Sequence, residues 1–241
     1  MGNTIIANEK IQTYFKELKD KTDVLYKVAQ KARAKGYDPE DKVDIPLAAS
    51  VAERSEALIA SIMPQISKSG VAERIIELEK QYGAGDWRIS LIIGEECAKE
   101  KFCKFDDLEQ AVGVGIRLGL AYITLAIVAA PLEGLADIKF KKRKDGKNYL
   151  SIFYAGPIRA AGGTAAAISV LIADYVRKKC GVADYDITKD EVERYKVEID
   201  DYVTKVAHRQ YVPTPEEIEL MMASIKIEIN GDPTETYDVS K

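Results

Sequence analysis

Residues 149–181 read YLSIFYAGPIRAAGGTAAAISVLIADYVRKKCG, and this stretch decides the fold. The apolar run YLSIFY is typical of a strand, and AGPIRAAGG is a glycine-rich turn. The apolar spacing that follows predicts a helix from about Thr164 to Lys179, with Gly181 as its stop. A strand, a turn and a helix in this order predict an α+β fold.

A β-hairpin ends in this strand. Residues 136–140 alternate between apolar and polar side chains, and the Asp-Gly pair at 145–146 is a strong turn signal. Residues 225–229 alternate in the same way and predict a half-buried strand that ends at the Asn-Gly pair 230–231. We therefore predict a hairpin and a small antiparallel or mixed sheet in a mostly helical protein.

Helical patterns fill the sequence before residue 135. The first helix is amphipathic and stops at Gly36, and its apolar residues are Ile11, Phe15, Leu18, Leu25 and Val28. Further helix starts are indicated at Ser50 (with Glu53), Gly70, Asp86, Thr188 (with Glu191) and Thr214 (with Glu217). We predict two regions: a helical region over 1–134, and an α+β region over 135–241 with the hairpin, the glycine-rich turn and helices.

The segment 111–132 is apolar except for Arg117 and is nearly long enough to span a bilayer. Its glycines permit close helix packing, and the acidic residues before it and Pro131 after it favour a core helix. The glycines form GVGIRLG, which misses the dinucleotide-binding fingerprint by one residue and has no strand before it. We predict a buried helix, keep a membrane span as the alternative, and discard a dinucleotide site.

Composition and charge restrict the class of protein. The 241 residues are 46% hydrophobic and 31% charged, which excludes collagen-like, low-complexity and wholly disordered chains. The net charge of −4 means that any contact with nucleic acid must be local. Three cysteines and one histidine lack the clustered spacing of a zinc site and indicate reduced thiols. With no secretory signal pattern, these features predict a cytoplasmic protein without a membrane partner.

The glycine-rich turn is the first candidate site. A helix start leaves its first backbone N–H groups unpaired and carries partial positive charge, so an anion is stabilised there. Gly162 and Gly163 permit a close approach of phosphate, Thr164 follows them in the helix, and Arg159 adds a bidentate phosphate contact. The alternative is that the glycines only make a tight turn and that the neighbouring alanines only permit close packing.

The hairpin turn is the second candidate site. It holds six basic residues within nine positions: Lys139, Lys141, Lys142, Arg143, Lys144 and Lys147. Such a patch pairs with phosphates, and its affinity falls steeply with salt. The alternative is a charge run that is simply solvated at a hairpin tip.

Catalytic patterns are weak in this sequence. His208 has no nucleophile near it in the sequence. Paired acids occur at 95–96, 106–107, 200–201 and 216–217, but adjacent positions on a helix point about 100° apart and do not converge on one metal. We therefore predict no catalytic residue and no metal ligand in this chain.

The stretch 149–181 resembles the N-terminal region of the large subunit of archaeal family D DNA polymerase. The similarity includes APLEGLADIKF at 130–140 and YVPTPEEIELMMASIKIEINGDPTE at 211–235, and it extends over the whole chain. AGPIRAAGGTA, at 155–165, is its most specific motif. Gly156, Arg159, Gly162, Gly163 and Thr164 occupy that motif.

The resemblance implies a replicative polymerase, a nucleotidyltransferase, whose large subunit pairs with a small exonuclease subunit and a sliding clamp. In that family the catalytic aspartates lie downstream of this region, and the zinc-binding cysteine clusters are absent from this chain. We expect no cofactor in the chain, and magnesium and zinc only in the full polymerase. Because the chain stops just after a strand and a turn, we also expect more chain to follow.

Two functional hypotheses follow. The first is a non-catalytic domain that holds template-primer DNA and organises the polymerase subunit, with a backbone contact at Arg159, Gly162, Gly163 and Thr164 and at Lys141, Lys142, Arg143 and Lys144. The second is a pure assembly module, in which the first helix docks on the small exonuclease subunit or on a second copy to form a homodimer. The chain alone is expected to be inactive as a polymerase.

Overall fold

The computed structural model describes residues 8–37, 48–125, 130–160, 162–206, 208 and 211–231, and the side chains of residues 159 and 160 lie outside this description. Contacts divide the chain into two compact units, Met1–Leu47 and Ala48–Lys241. The helices are α1 (Glu9–Ala34), α2 (Val51–Ala60), α3 (Val71–Tyr82), α4 (Trp87–Ala98), α5 (Leu108–Ile123), α6 (Pro157–Ala160), α7 (Gly163–Lys179), α8 (Lys189–Lys205) and α9 (Pro215–Ser224). The strands are β1 (Leu135–Lys142), β2 (Asn148–Tyr154) and β3 (Glu228–Gly231).

The first unit contains α1, which has the predicted start and stop signals. The Asn8 side chain accepts a hydrogen bond from the Ile11 amide at 3.0 Å, and the chain reverses at Gly36 with φ +72°. All residues of α1 are described, and none of them is buried. Its apolar face is therefore uncovered, with Phe15 60% and Leu25 68% exposed.

Local capping signals mark several helix starts of the second unit. Thr188 and Thr214 each form a complete capping box with the glutamate three residues later, as predicted. The predicted capping box at Ser50 is only half formed. The Ser50 hydroxyl accepts from the Glu53 amide at 3.1 Å, but the Glu53 carboxylate accepts from the amide of Ala49, one residue earlier.

Glycines let α4 and α5 approach closely. A Cβ atom on Gly115 would lie 2.5 Å from the carbonyl oxygen of Gly94, and one on Gly119 would lie 2.6 Å from that of Ser90. Gly115 and Gly119 of GVGIRLG therefore serve helix packing, as predicted. The C-terminal end predicted for the helix over 111–132 is wrong, because α5 stops at Ile123 and Pro131 lies in a π-helical turn. Within the described residues, no helix has the length and apolar character needed to span a membrane.

The described strands form a three-stranded mixed sheet in the order β1-β2-β3. β1 and β2 form the predicted antiparallel hairpin, and its turn closes where the Gly146 amide donates to the Arg143 carbonyl at 3.0 Å. β3 pairs parallel with β2, with Ile152 opposite Ile229. The ordered strand starts at Glu228 and not at 225, because the Lys226 carbonyl accepts from the Tyr185 amide outside the sheet.

One core joins the helices to the sheet. α5, α7 and the inner face of the sheet contribute buried side chains to it, among them Ile116, Leu120, Leu150, Ile152 and Ile172. The change from helices to strands at 134/135 falls inside the unit that begins at Ala48. The fold class is confirmed as α+β, mostly helical, with a small mixed sheet.

Candidate nucleic-acid interface

The glycine-rich turn is open at the start of α7. Gly162 precedes the helix with φ +90°, and Gly163 and Thr164, its first residues, are exposed. Among the described residues, nothing lies within 4 Å of a Cβ atom built on Gly162 or Gly163. The two glycines are therefore not sealed beneath side chains.

The first backbone N–H groups of α7 are not paired inside the helix. Ala166 is the first residue whose amide donates back along the helix, to the Gly162 carbonyl at 3.3 Å, so the N–H groups of residues 163–165 have no acceptor inside α7. Within the described part of the chain, no side chain caps this helix start. The left-handed φ explains Gly162 as a turn residue, whereas close packing explains neither glycine. The side chain of Arg159 lies outside the described residues.

The basic hairpin tip is largely paired with acidic residues. Lys141 Nζ lies 2.7 Å from Glu228 Oε2, and Lys139 Nζ lies 2.6 Å from Asp137 Oδ2. The hydrogen bond that Lys139 donates to Asp137 raises the pKa of Lys139. The Lys139–Asp137 pair is exposed and contributes only about 0–1 kcal/mol, so a phosphate can replace the Asp137 carboxylate at little cost. Glu228 is only 17% exposed, so the Lys141–Glu228 pair costs more to break.

Arg143 joins the hairpin tip to the segment before α8. Its Nη1 donates to the Asp184 carbonyl at 2.9 Å, and its Nη2 lies 3.7 Å from Asp186 Oδ2. Lys142 donates to the neutral side chain of Asn148 at 3.1 Å. Lys144 is exposed and has no partner among the residues that the structure describes. Lys142 and Lys144 are thus the tip cations whose charge is not offset by a carboxylate within that part of the chain.

The structure does not bring the two predicted clusters together. The hairpin tip lies at the start of β2 and the glycine-rich turn follows its end. β2 has 7 residues, which at about 3.3 Å each separates its two ends by roughly 20 Å. A ligand that touches both clusters must therefore be extended, as a nucleic-acid backbone is.

Two tyrosines beside the hairpin tip were missed by sequence reasoning. The ring centroids of Tyr149 and Tyr185 lie 5.1 Å apart at an interplanar angle of 36°. They line a cleft of about 250 Å³ together with Lys142, Arg143, Lys144, Asp186, Ile187, Thr188 and Glu191. Burial raises the pKa of Tyr149 to about 12, so its phenol is neutral at physiological pH. The available signal was an aromatic residue placed directly after a basic run.

The members of the acidic pair at 95–96 bind different partners. Glu95 accepts from the Tyr175 hydroxyl of α7 at 2.7 Å, whereas Glu96 accepts from Arg74 Nη2 of α3 at 2.8 Å. Within the described residues, no three His, Cys, Asp or Glu side chains are placed to hold a metal ion. The three cysteines in that part of the chain are free, and burial raises the pKa of the Cys97 thiol. His208 is exposed. Within the described residues, these side chains fit neither a zinc site nor a two-metal site.

Fold and site together define an α+β domain that presents an open helix start, a basic hairpin and an aromatic cleft. A family model described as the N-terminal part of the DNA polymerase II large subunit DP2 matches residues 13–241. The DNA polymerase II large subunit of Nanoarchaeum equitans is 53% identical over 94% of this chain and 18% of that protein. The large subunit of Methanococcus maripaludis (strain S2) is 42% identical over 98% of this chain and 20% of that protein. The large subunit of Pyrococcus furiosus is 41% identical over 96% of this chain and 18% of that protein.

The chain belongs to the family of N-terminal regions of archaeal DNA polymerase II large subunits, the family D polymerases. It spans about a fifth of the length of these relatives. The resemblance inferred from AGPIRAAGGTA is thereby confirmed.

Proposed function

We propose that this chain is a non-catalytic part of a replicative archaeal DNA polymerase that binds the DNA backbone and helps to organise the large subunit. The observation that carries the proposal is the uncovered start of α7 in a polymerase family member. Its first N–H groups, which have no acceptor inside α7, and its partial positive charge suit a phosphate oxygen. The cations of the hairpin tip supply a second contact roughly 20 Å away along an extended backbone.

A charge placed at Thr164 tests this proposal. Thr164→Glu puts a carboxylate in the first turn of α7, where it stabilises the helix by about 0.3–1 kcal/mol. The same carboxylate repels a bound phosphate, which costs about 1–2 kcal/mol near a solvated surface and weakens duplex binding roughly 5- to 30-fold. Thr164→Gln introduces a side chain of nearly the same size as glutamate but without the charge. It is the matched control.

Duplex affinity is measured by fluorescence anisotropy over a salt series, with thermal unfolding of each variant. Arg159→Ala should also lower the slope of log affinity against log salt by about 0.9, the value of one phosphate contact. If Thr164→Glu and Thr164→Gln bind duplex equally well, and Arg159→Ala leaves the slope unchanged, the turn does not contact DNA.

Assembly through α1 is a second candidate function, and the uncovered apolar face of that helix favours it. Ile11, Phe15, Leu18 and Leu25 recur at helical spacing and are 44–68% exposed. By family resemblance the occupant is the small exonuclease subunit or a second copy of the chain, while the sliding clamp binds the full subunit. Deletion of residues 1–47 should then abolish the complex in a co-purification and leave DNA affinity unchanged.

The enzymatic proposal is that the chain alone does not extend a primer. Glu95 and Glu96, one of its acidic pairs, are held in local ion pairs. We propose magnesium and zinc for the full polymerase only. We also propose that the polymerase is cytoplasmic. The test is to incubate the chain with primed DNA, deoxynucleotides and magnesium. A family polymerase is the positive control, and extension of the primer by the chain alone would contradict the proposal.

A further inference from the structure

The cleft beside the hairpin tip differs from the rest of the basic cluster because aromatic rings form its wall. Tyr149 opens β2, and Tyr185 lies before α8; both rings are half-buried, so each keeps part of its surface open. Every nucleic-acid base has a π-face, so stacking on such rings accepts any base and is worth about 1–3 kcal/mol per base.

The cleft is held in place by hydrogen bonds from both sides. On one side, Arg143 Nη1 donates to the Asp184 carbonyl at 2.9 Å. On the other, the Tyr185 amide donates to the Lys226 carbonyl at 2.9 Å, and the Tyr185 hydroxyl donates to the Glu191 carboxylate. The cleft therefore exists without a ligand, which lowers the entropy cost of binding.

The charges of the cleft favour an anion at its rim. Glu191 also accepts from the amide and hydroxyl of Thr188, at 2.7 and 2.8 Å, which hold its carboxylate but leave its negative charge in place. The cations that line the cleft, Lys142, Arg143 and Lys144, outnumber its carboxylates. Asp186 faces Arg143 across 3.7 Å. Lys142 and Lys144 remain as the cations that no carboxylate offsets within the described residues.

The size of the cleft selects one small unit of a ligand. At about 250 Å³ it lies below the range of roughly 300–1,000 Å³ that accommodates drug-sized molecules. A paired base is stacked inside a duplex and cannot reach a recessed ring, whereas an unpaired base can turn outward. The chemistry that fits is one base against a tyrosine and its phosphate beside a lysine.

The outer face of the hairpin continues the cleft towards the body of the sheet. Tyr149 and Phe153 lie on one face of β2, four residues apart. The ammonium groups of Lys139 and Lys141 lie 5.6 and 5.3 Å from the centroid of the Phe153 ring. A strand of nucleic acid that leaves the cleft in this direction meets a second aromatic ring between two cations.

We propose that this cleft binds one unpaired nucleotide of single-stranded DNA, with the base against Tyr149 and Tyr185 and the phosphate beside Lys142 and Lys144. The inference rests on the proposed function, because it assigns a single-stranded substrate to a domain that we propose to bind DNA. It adds a preference for single-stranded over duplex DNA, which the open start of α7 does not provide. A template overhang beyond the primer end has the required chemistry.

The first experiment compares single-stranded with duplex DNA, using the full 241-residue chain. Tyr149→Leu keeps an apolar side chain but removes the ring, and should weaken binding of a labelled oligothymidylate roughly 5- to 150-fold. Lys144→Ala removes an exposed cation that makes no internal contact in the described residues, and should weaken the same binding several-fold. Lys178→Ala, an exposed lysine at the end of α7, is the matched control and should leave it unchanged.

Duplex affinity separates the two proposals. For Tyr149→Leu, loss of single-strand binding with duplex affinity kept within twofold supports the cleft, whereas Lys144→Ala removes a cation of the proposed duplex contact as well and should weaken both forms. Equal losses of both forms for Tyr149→Leu, or no loss of single-strand binding for either variant, overturn the cleft and leave the proposed function standing. Failure of the wild-type chain to bind either form overturns both, whereas duplex binding without single-strand binding overturns the cleft alone.

The second experiment needs no variant and so does not depend on the folding of Tyr149→Leu. An oligonucleotide containing 5-bromodeoxyuridine is irradiated with the wild-type chain, and the linked peptide is identified by mass spectrometry. The proposal expects the cross-link at Tyr149 or Tyr185. Cross-links confined to other peptides overturn it.

Discussion

A methyl group added to Gly115 should loosen the packing of α4 on α5. In Gly115→Ala the new Cβ lies 2.5 Å from the Gly94 carbonyl oxygen, 3.0 Å from the Ala98 Cβ and 3.1 Å from the Ala98 amide nitrogen. Carbon and oxygen atoms normally approach to about 3.3 Å, so the helices must separate by about 0.8 Å. Because the atoms that the new Cβ contacts belong mainly to the backbone, no change of side-chain rotamer can relieve the overlap.

The expected cost follows from two opposing effects. Overpacking of this kind destabilises by about 1–3 kcal/mol, and three close contacts favour the upper end. Replacing glycine by alanine inside a helix contributes about 1 kcal/mol of stability. We expect Gly115→Ala to lower the free energy of unfolding by about 2 kcal/mol, measured by urea denaturation with circular dichroism.

Gly113→Ala is the control within the same helix. Its Cβ would meet the movable Nη1 of Arg117 at 3.4 Å and Ile138 at 3.8 Å, which are ordinary contacts. That variant should be more stable than the wild type by about 0.5–1 kcal/mol. If the two variants unfold at the same urea concentration, α4 and α5 do not pack as described.

Three further predictions concern buried or paired groups. Arg177, only 3% exposed, donates to the Val182 carbonyl at 3.0 Å and pairs with two carboxylates, so Arg177→Leu should lower the unfolding free energy by roughly 2–3 kcal/mol in urea denaturation. Burial raises the pKa of Glu96, but hydrogen bonds from Arg74 and Lys101 outweigh it and hold that pKa below 4.5. The stability that Glu96 provides is present above about pH 4.5 and is lost as the pH falls through the lowered pKa, so Glu96→Gln should flatten the acid limb of a stability–pH curve. Cys97 is fully buried and the pKa of its thiol is raised, so it should resist a thiol reagent in the native chain and react after unfolding. Mass spectrometry of labelled peptides measures this reaction. Labelling of Cys97 in the folded protein would contradict its burial.

Local signals predicted the elements that depend on neighbouring residues. The capping boxes at Thr188 and Thr214, and the Asp-Gly turn at 145–146, require only a few consecutive residues and are present in the structure. The half-formed box at Ser50 shows the limit of such signals. A glutamate three residues into a helix has more than one amide within reach, and the entry path of the chain selects among them.

The candidate site was predictable only in part, because its contacts join distant segments. The glycine-rich turn was found from its sequence, and its exposed position agrees with that reading. The pairing of Lys141 with Glu228 depends on the parallel placement of β3, which alternation alone does not specify. The cleft between Tyr149 and Tyr185 likewise forms only when the segment before α8 returns to the hairpin tip.

The parallel pairing of β3 with β2 also sets an order of events during synthesis. The hairpin emerges from the ribosome long before its third strand, since α6, α7, α8 and α9 lie between them. Until residues 228–231 have been translated, β2 keeps an open edge, and a lone hairpin is marginally stable in water. Completion of the sheet therefore closes a long loop of the chain and follows formation of the hairpin.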